Sequence, residues 1–203
     1  AYTVPFQLAQ RIQILPAALT NALFPKMSAA SPEERQVLIH RASLALASLV
    51  SLPVLGVIYL LDPFLHVWVG ANLAAQSTLV GRIIVIGFWA NAFALVPFMR
   101  LQSTGRPDLV TKTLLLEIPP YLLLLYLGMT FLGLPGSALA FTARCIADYI
   151  LLTWAAGRDF RISPLLAFNL GLLVAGAWFA TLWPITDWRW WVSAVALGAV
   201  MLA

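Results

Sequence analysis

Six apolar stretches, each about 15 to 23 residues long, run from Ala42 to the last residue, and the turns between them carry positive charge in alternation. A bilayer core about 30 Å thick takes roughly 20 apolar residues in helical form. Backbone polar groups in hydrocarbon must be satisfied within each spanning segment, which leaves helices as the reading for such stretches. The pattern predicts an all-α, polytopic transmembrane helical bundle. Spans are expected near Ala42–Leu61, Leu79–Phe98, Leu114–Leu134, Pro135–Ala156, Leu165–Trp183 and Trp190–Ala203. An earlier and more polar segment, about Val4–Phe24, is long enough to be a seventh helix.

Charge orients the spans. The first turn holds Lys26, Arg35 and Arg41, the third Arg100, Arg106 and Lys112, and the fifth Arg158 and Arg161. The second holds only Arg82, at its far edge, the sixth only Arg189, and the fourth, around Gly133–Gly136, none. The excess of Lys and Arg on one side predicts that the first, third and fifth turns face the cytoplasm. Trp68, Trp183, Trp188, Trp190 and Trp191 fall near expected outer ends, where interfacial tryptophans belong.

Composition excludes most other classes. The chain is 62% hydrophobic and 10% charged, against about 25% charged residues in soluble domains. The net charge of +4 sits largely in turns, so it reads as topology and implies no nucleic-acid partner. A lone cysteine, Cys145, cannot close an internal disulfide. No phosphate-binding loop and no serine elbow is present. His40 and His66 fall in turns on opposite sides, so no shared metal site is expected. The longest turns, Pro25–Arg41 and Asp62–Thr78, hold about 17 residues each, too few for a soluble catalytic domain. The expectation is a protein that is not an enzyme and uses no metal or cofactor. It has no G-x-x-x-G helix-pairing motif. The start at Ala1, the short last span and the odd helix count suggest that both ends are cut and that this is an internal or C-terminal piece of a longer transporter-like chain.

Charged residues inside spans are unfavourable in hydrocarbon and mark candidate sites. At 100° per residue, Thr3, Gln7, Gln10, Arg11, Ala18 and Asn21 share one helical stripe, interrupted by Ile14. Arg11 offers a permanent charge and a fork of donors suited to phosphate oxygens. It either binds an anionic headgroup or snorkels to the outer interface. Arg144 and Asp148 are one turn apart and can pair, as a structural ion pair or as a cavity lining with a proton-linked acid. Glu117 either snorkels toward the cytoplasmic surface or serves coupling. Asn91 is mid-span and suits an interhelical hydrogen bond. The Pro119–Pro120 pair should kink its span.

The stretch from Tyr2 to Ser28, with Tyr2, Arg11–Ile12, Pro16 and Pro25–Ser28, resembles the second helix of the second half of polysaccharide flippases. The interval from Tyr2 to Arg11 is a few residues longer than in lipid II flippases. Pro53, Leu65–Val69–Gly70, Gly105–Arg106–Pro107 and Gly133–Leu134–Pro135–Gly136–Ser137–Ala138 follow in matching order. Together they cover about Tyr2 to Arg158 and are similar to Wzx-like O-antigen or exopolysaccharide flippases of the multidrug/oligosaccharidyl-lipid/polysaccharide exporter superfamily.

That resemblance implies two facing helical bundles around a central cavity and movement of undecaprenyl-diphosphate-linked oligosaccharide across a bacterial inner membrane. Residues 1–157 would belong to the C-terminal bundle, and 158–203 would add two extra helices to a single transmembrane domain. Arg11 would meet the diphosphate, with Gln7, Gln10 and Asn21 beside it, while Arg144, Asp148 and Glu117 would line the cavity or serve coupling. Membrane lipid and the glycan polymerase machinery are the implied partners. A cation-coupled multidrug exporter of the same superfamily is the alternative. A membrane glycosyltransferase or polymerase would want a larger, charged outer loop, and a purely structural scaffold would not need charges within its spans.

Overall fold

A computed structural model of the chain describes residues 3–157 and 164–202. Tyr2, Arg158 and Arg161, which the sequence reading uses, lie outside the described residues. Among these the secondary structure is helical throughout: α1 (Thr3–Gln10), a 3₁₀ turn (Arg11–Gln13), α2 (Ile14–Ala29), α3 (Pro32–Val69), α4 (Ala71–Ser103), α5 (Pro107–Leu132), α6 (Leu134–Ala155), α7 (Pro164–Leu182) and α8 (Trp188–Leu202). With α1, the 3₁₀ turn and α2 taken as one bent rod, seven rods result. Five helices, α3 to α7, are long and apolar enough to cross a membrane. At 1.5 Å per residue, α8 is about 22 Å long and falls short of the hydrocarbon thickness.

Two expected turns are helix instead. Pro25–Arg41 is polar, which predicts a turn. In the structure α2 runs on to Ala29 and α3 begins at Pro32. The reason lies in Ser31-Pro32-Glu33-Glu34. The Ser31 hydroxyl accepts from the Glu34 N–H at 3.3 Å, and the Ser31 N–H donates to Glu34 Oε2 at 3.0 Å, closing a capping box. Pro32 occupies a first-turn position whose N–H would be unbonded anyway. Arg35 ties the junction back, donating to the carbonyls of Met27 (3.1 Å) and Ala30 (2.9 Å). Asp62–Thr78 is likewise helical except at Gly70, whose φ of +83° only glycine adopts readily.

The bundle is built around α4, which touches α1, α2, α3, α5, α6 and α7. Its buried Ile84, Val85, Trp89 and Phe93 pack with Val50, Val54 and Ile58 of α3, Ala138 and Cys145 of α6 and Leu173 of α7 in one continuous core. Polar bonds pin the same interfaces: Trp89 Nε1 donates to Ser51 Oγ (2.8 Å) and Thr142 Oγ1 to the Ile83 carbonyl (2.7 Å). A hydroxyl that satisfies a carbonyl across helices suits a medium without water. Trp190, expected at an interface, is buried edge-on against Tyr59, ring centroids 5.1 Å apart, and Tyr59 donates to Ser193 Oγ at 2.8 Å. These contacts dock α8 on α3.

The α5–α6 hairpin brings backbones into contact. A Cβ on Gly128 would stand 2.6 Å from the Gly136 carbonyl oxygen, and one on Gly136 would meet the Gly128 carbonyl. The two glycines are on different helices, so their spacing in sequence carries no pairing motif.

Candidate functional site

Arg82 is the largest departure from the sequence reading. It was assigned to a turn as a topology charge, yet it is only 3% exposed, inside α4. Its Nε donates to the Ile58 carbonyl at 3.0 Å and Nη2 to the Ala180 carbonyl at 3.2 Å, with Asp62 close enough to act on its charge. Asp62 in turn accepts from Thr78 Oγ1 at 3.0 Å. A spacing rule sees only an arginine beside a polar segment. The signal that could have located it is the helix-forming run through Asp62–Thr78, which carries Arg82 more than two turns past the α4 start.

The first candidate site lies on the bent rod. Pro16 has no N–H to offer the Ile12 carbonyl, and its ring crowds that carbonyl. The helix tightens there into the 3₁₀ turn Arg11–Gln13. Gln13, which the sequence reading passed over, fixes the bend by donating from Nε2 to the Phe88 carbonyl of α4 at 2.7 Å. Phe6 packs edge-on against Phe88 and Phe141 just before it. With those groups turned inward, Gln7, Gln10 and Arg11 are exposed on the other side. They line one open pocket of about 580 Å³ together with Gln13, Ile14 and Ala17. Asn21 is exposed on the same rod but is not part of that pocket. The arrangement offers one guanidinium and several amide groups on one face of the rod, which suits an anionic, hydroxyl-rich ligand.

The second lies between α5 and α6. Glu117 is 3% exposed and turned toward α6, not snorkelling to the surface. Arg144 Nε lies 3.6 Å from Glu117 Oε2, so the ion pair crosses between helices. Asp148 acts electrostatically on both. The Arg144 side chain is 35% exposed and its guanidinium sits 5.5 Å from the centre of the Tyr121 ring, within cation–π range. A groove of about 450 Å³ borders this cluster, lined among others by Leu116, Glu117, Pro119, Pro120, Tyr121 and Arg144. Pro119 and Pro120 cannot donate to the carbonyls of Leu115 and Leu116, so α5 is weakest in hydrogen bonding beside the cluster. The two candidate sites are separate: no residue lines both pockets. Among the described residues no group of three or more His, Cys, Asp or Glu is placed to hold a metal ion.

The chain is 33% identical over 155 residues to a Shigella flexneri protein named putative O-antigen transporter. The match covers 75% of this chain and 37% of that protein, so the chain corresponds to well under two thirds of its relative. No family model and no solved structure matches the chain.

Proposed function

We propose that this chain forms part of a carrier that flips lipid-linked, undecaprenyl-diphosphate-bound oligosaccharide across the bacterial inner membrane by alternating access. The observation that carries the reading is the open pocket at the proline bend, where Arg11, Gln7 and Gln10 come together. Moving a diphosphate and a hydrated sugar past hydrocarbon requires groups that replace water, and a guanidinium with neighbouring amides does so. The polyprenyl tail can stay in lipid. The similarity to a protein named for O-antigen transport supports the substrate class, and the motifs from Tyr2 to Arg158 support the same family. In this reading α7 and α8 are additional helices beside a C-terminal bundle, and glycan polymerase machinery receives the product.

Proteoliposomes made with the full-length protein should translocate a lipid-diphosphate glycan, and Arg11→Ala should slow this at least tenfold without loss of folded protein. Unchanged transport by the variant would remove Arg11 from the site.

The buried Glu117 beside Asp148 favours a second reading, a cation-coupled multidrug exporter. Drug-resistance profiles of cells making the protein separate the two.

A further inference from the structure

We propose that Glu117 and Asp148 form a binding site for one proton, shared between the two carboxyl groups and flanked by Arg144. The inference goes beyond the proposed function and holds whichever cargo is carried.

Glu117 leaves α5 just before the Pro119–Pro120 pair and is buried against α6. Both of its carboxyl oxygens are inaccessible and accept no hydrogen bond among the described residues. Arg144 Nε, at 3.6 Å, is beyond hydrogen-bonding length. The Asp148 carboxyl is within hydrogen-bonding reach of the Glu117 carboxyl. Two ionised carboxylates only accept. The contact between them becomes a hydrogen bond when one of the two carries a proton.

Charge balance leads to the same place. Two carboxylates and one guanidinium leave one negative charge without a partner. The cluster lies about 15 Å from the α5 start, counting ten residues at 1.5 Å each, within the apolar part of the bundle, where an uncompensated ion is strongly disfavoured. One proton restores neutrality without a cage of ligands. The charged groups acting on Glu117 are Asp148 and Arg144, both from α6, and Cys145 lies within electrostatic reach of all three. A dehydrated metal cation would need more oxygen ligands than this pair provides. The bordering groove gives the site a way out, and Arg144, partly exposed and resting on Tyr121, lies beside Glu117 and lines the groove as well.

The test is infrared difference spectroscopy of the full-length protein in lipid nanodiscs near neutral pH. A protonated-carboxyl C=O band, shifted in D₂O, is expected in the wild type. It should be lost in Glu117→Gln and in Asp148→Asn, because the carboxylate left behind pairs with Arg144. No such band in folded wild type, or a band unchanged in both variants, would overturn the proposal. A missing band together with saturable sodium binding that either variant abolishes would replace the proton with sodium. Should a neutral variant fail to fold, Asp148→Glu keeps the pair and must move the band; an unmoved band overturns the assignment. Failure of the flippase reading would show instead as absent glycan transport and would leave the spectrum as it is.

Discussion

Arg82 of α4 donates to the carbonyl of Ala180 in α7, a group left without a helical partner because the residue four positions on is Pro184. The last carbonyls of any helix need outside donors, and here a buried guanidinium serves α7 and the Ile58 carbonyl of α3 at once. Arg82→Leu removes two charge-assisted hydrogen bonds and leaves Asp62 without its neighbouring cation. The expected loss is about 2–4 kcal/mol, read as a lower midpoint in reversible denaturant unfolding of the micellar protein. Arg82→Lys should recover only part of it, since one ammonium cannot reproduce the guanidinium fork. Equal stability of Arg82→Leu and wild type would mean that α7 is held by apolar packing alone.

The α5–α6 hairpin gives a second prediction. A methyl group at Gly136 meets backbone, not a flexible side chain, so the helices must separate to admit it. Gly136→Ala should destabilise by roughly 1–3 kcal/mol, the range for overpacking. Gly56→Ala is the control, because nothing lies within 4 Å of the position its Cβ would take. It should be neutral or slightly stabilising, since alanine favours helix over glycine. Thermal unfolding of both variants followed by tryptophan fluorescence decides the matter. Equal midpoints would mean that the hairpin closes less tightly than the glycine contact indicates.

The helical class and most spans were legible because apolar length in hydrocarbon leaves the backbone little choice. What sequence reading lost were helices that continue past the apolar region. Glu33 to Arg41 looked like a turn because polar residues usually mark one, although the S-x-x-E signature at Ser31–Glu34 was present. The capping signature there starts a helix within the polar stretch. Arg82 was misplaced for the same reason at the other end. The Glu117–Arg144 contact was out of reach in kind: residues 27 positions apart meet through hairpin packing, which no periodicity encodes. The stripe through Gln7, Gln10 and Arg11 was legible because it is local to one rod. Gln13 was not, since its partner Phe88 is on α4.

The Ser31 cap can be tested apart from any transport question. Ser31→Ala deletes the acceptor for the Glu34 N–H and breaks the capping box at the head of α3. The expected destabilisation is about 1 kcal/mol. It should be local, because Ala30 and Ser31 form the only break between α2 and α3. Hydrogen exchange at residues 33–36 should speed up while the core of α4 keeps its protection. Uniform acceleration across α4 would show that the junction stabilises the whole bundle.

The bend at Pro16 links local structure most directly to the proposed function. Three residues in 3₁₀ geometry turn about 120° each where α-helix turns 100°, so the rod gains roughly 60° of phase across Arg11–Gln13. That rotation sets the phase between Gln7, Gln10 and Arg11 before the turn and Gln13, Ile14 and Ala17 after it, all of which line the open pocket, with Gln13 bonded to Phe88. Pro16→Ala restores an N–H for the Ile12 carbonyl and should let the segment relax to α-helix. Stability should hold or rise, since an interior proline costs about 3 kcal/mol relative to alanine. Glycan translocation in proteoliposomes should nonetheless fall severalfold, because Gln13, Ile14 and Ala17 turn away from Gln7, Gln10 and Arg11 and the shared pocket opens. Spin-label distances from residue 11 to α4 would report the rotation directly. A straightened rod with full transport would separate the pocket from the carrier's task; a rod that stays bent would place the cause of the 3₁₀ turn in the Gln13 anchor and not in the proline.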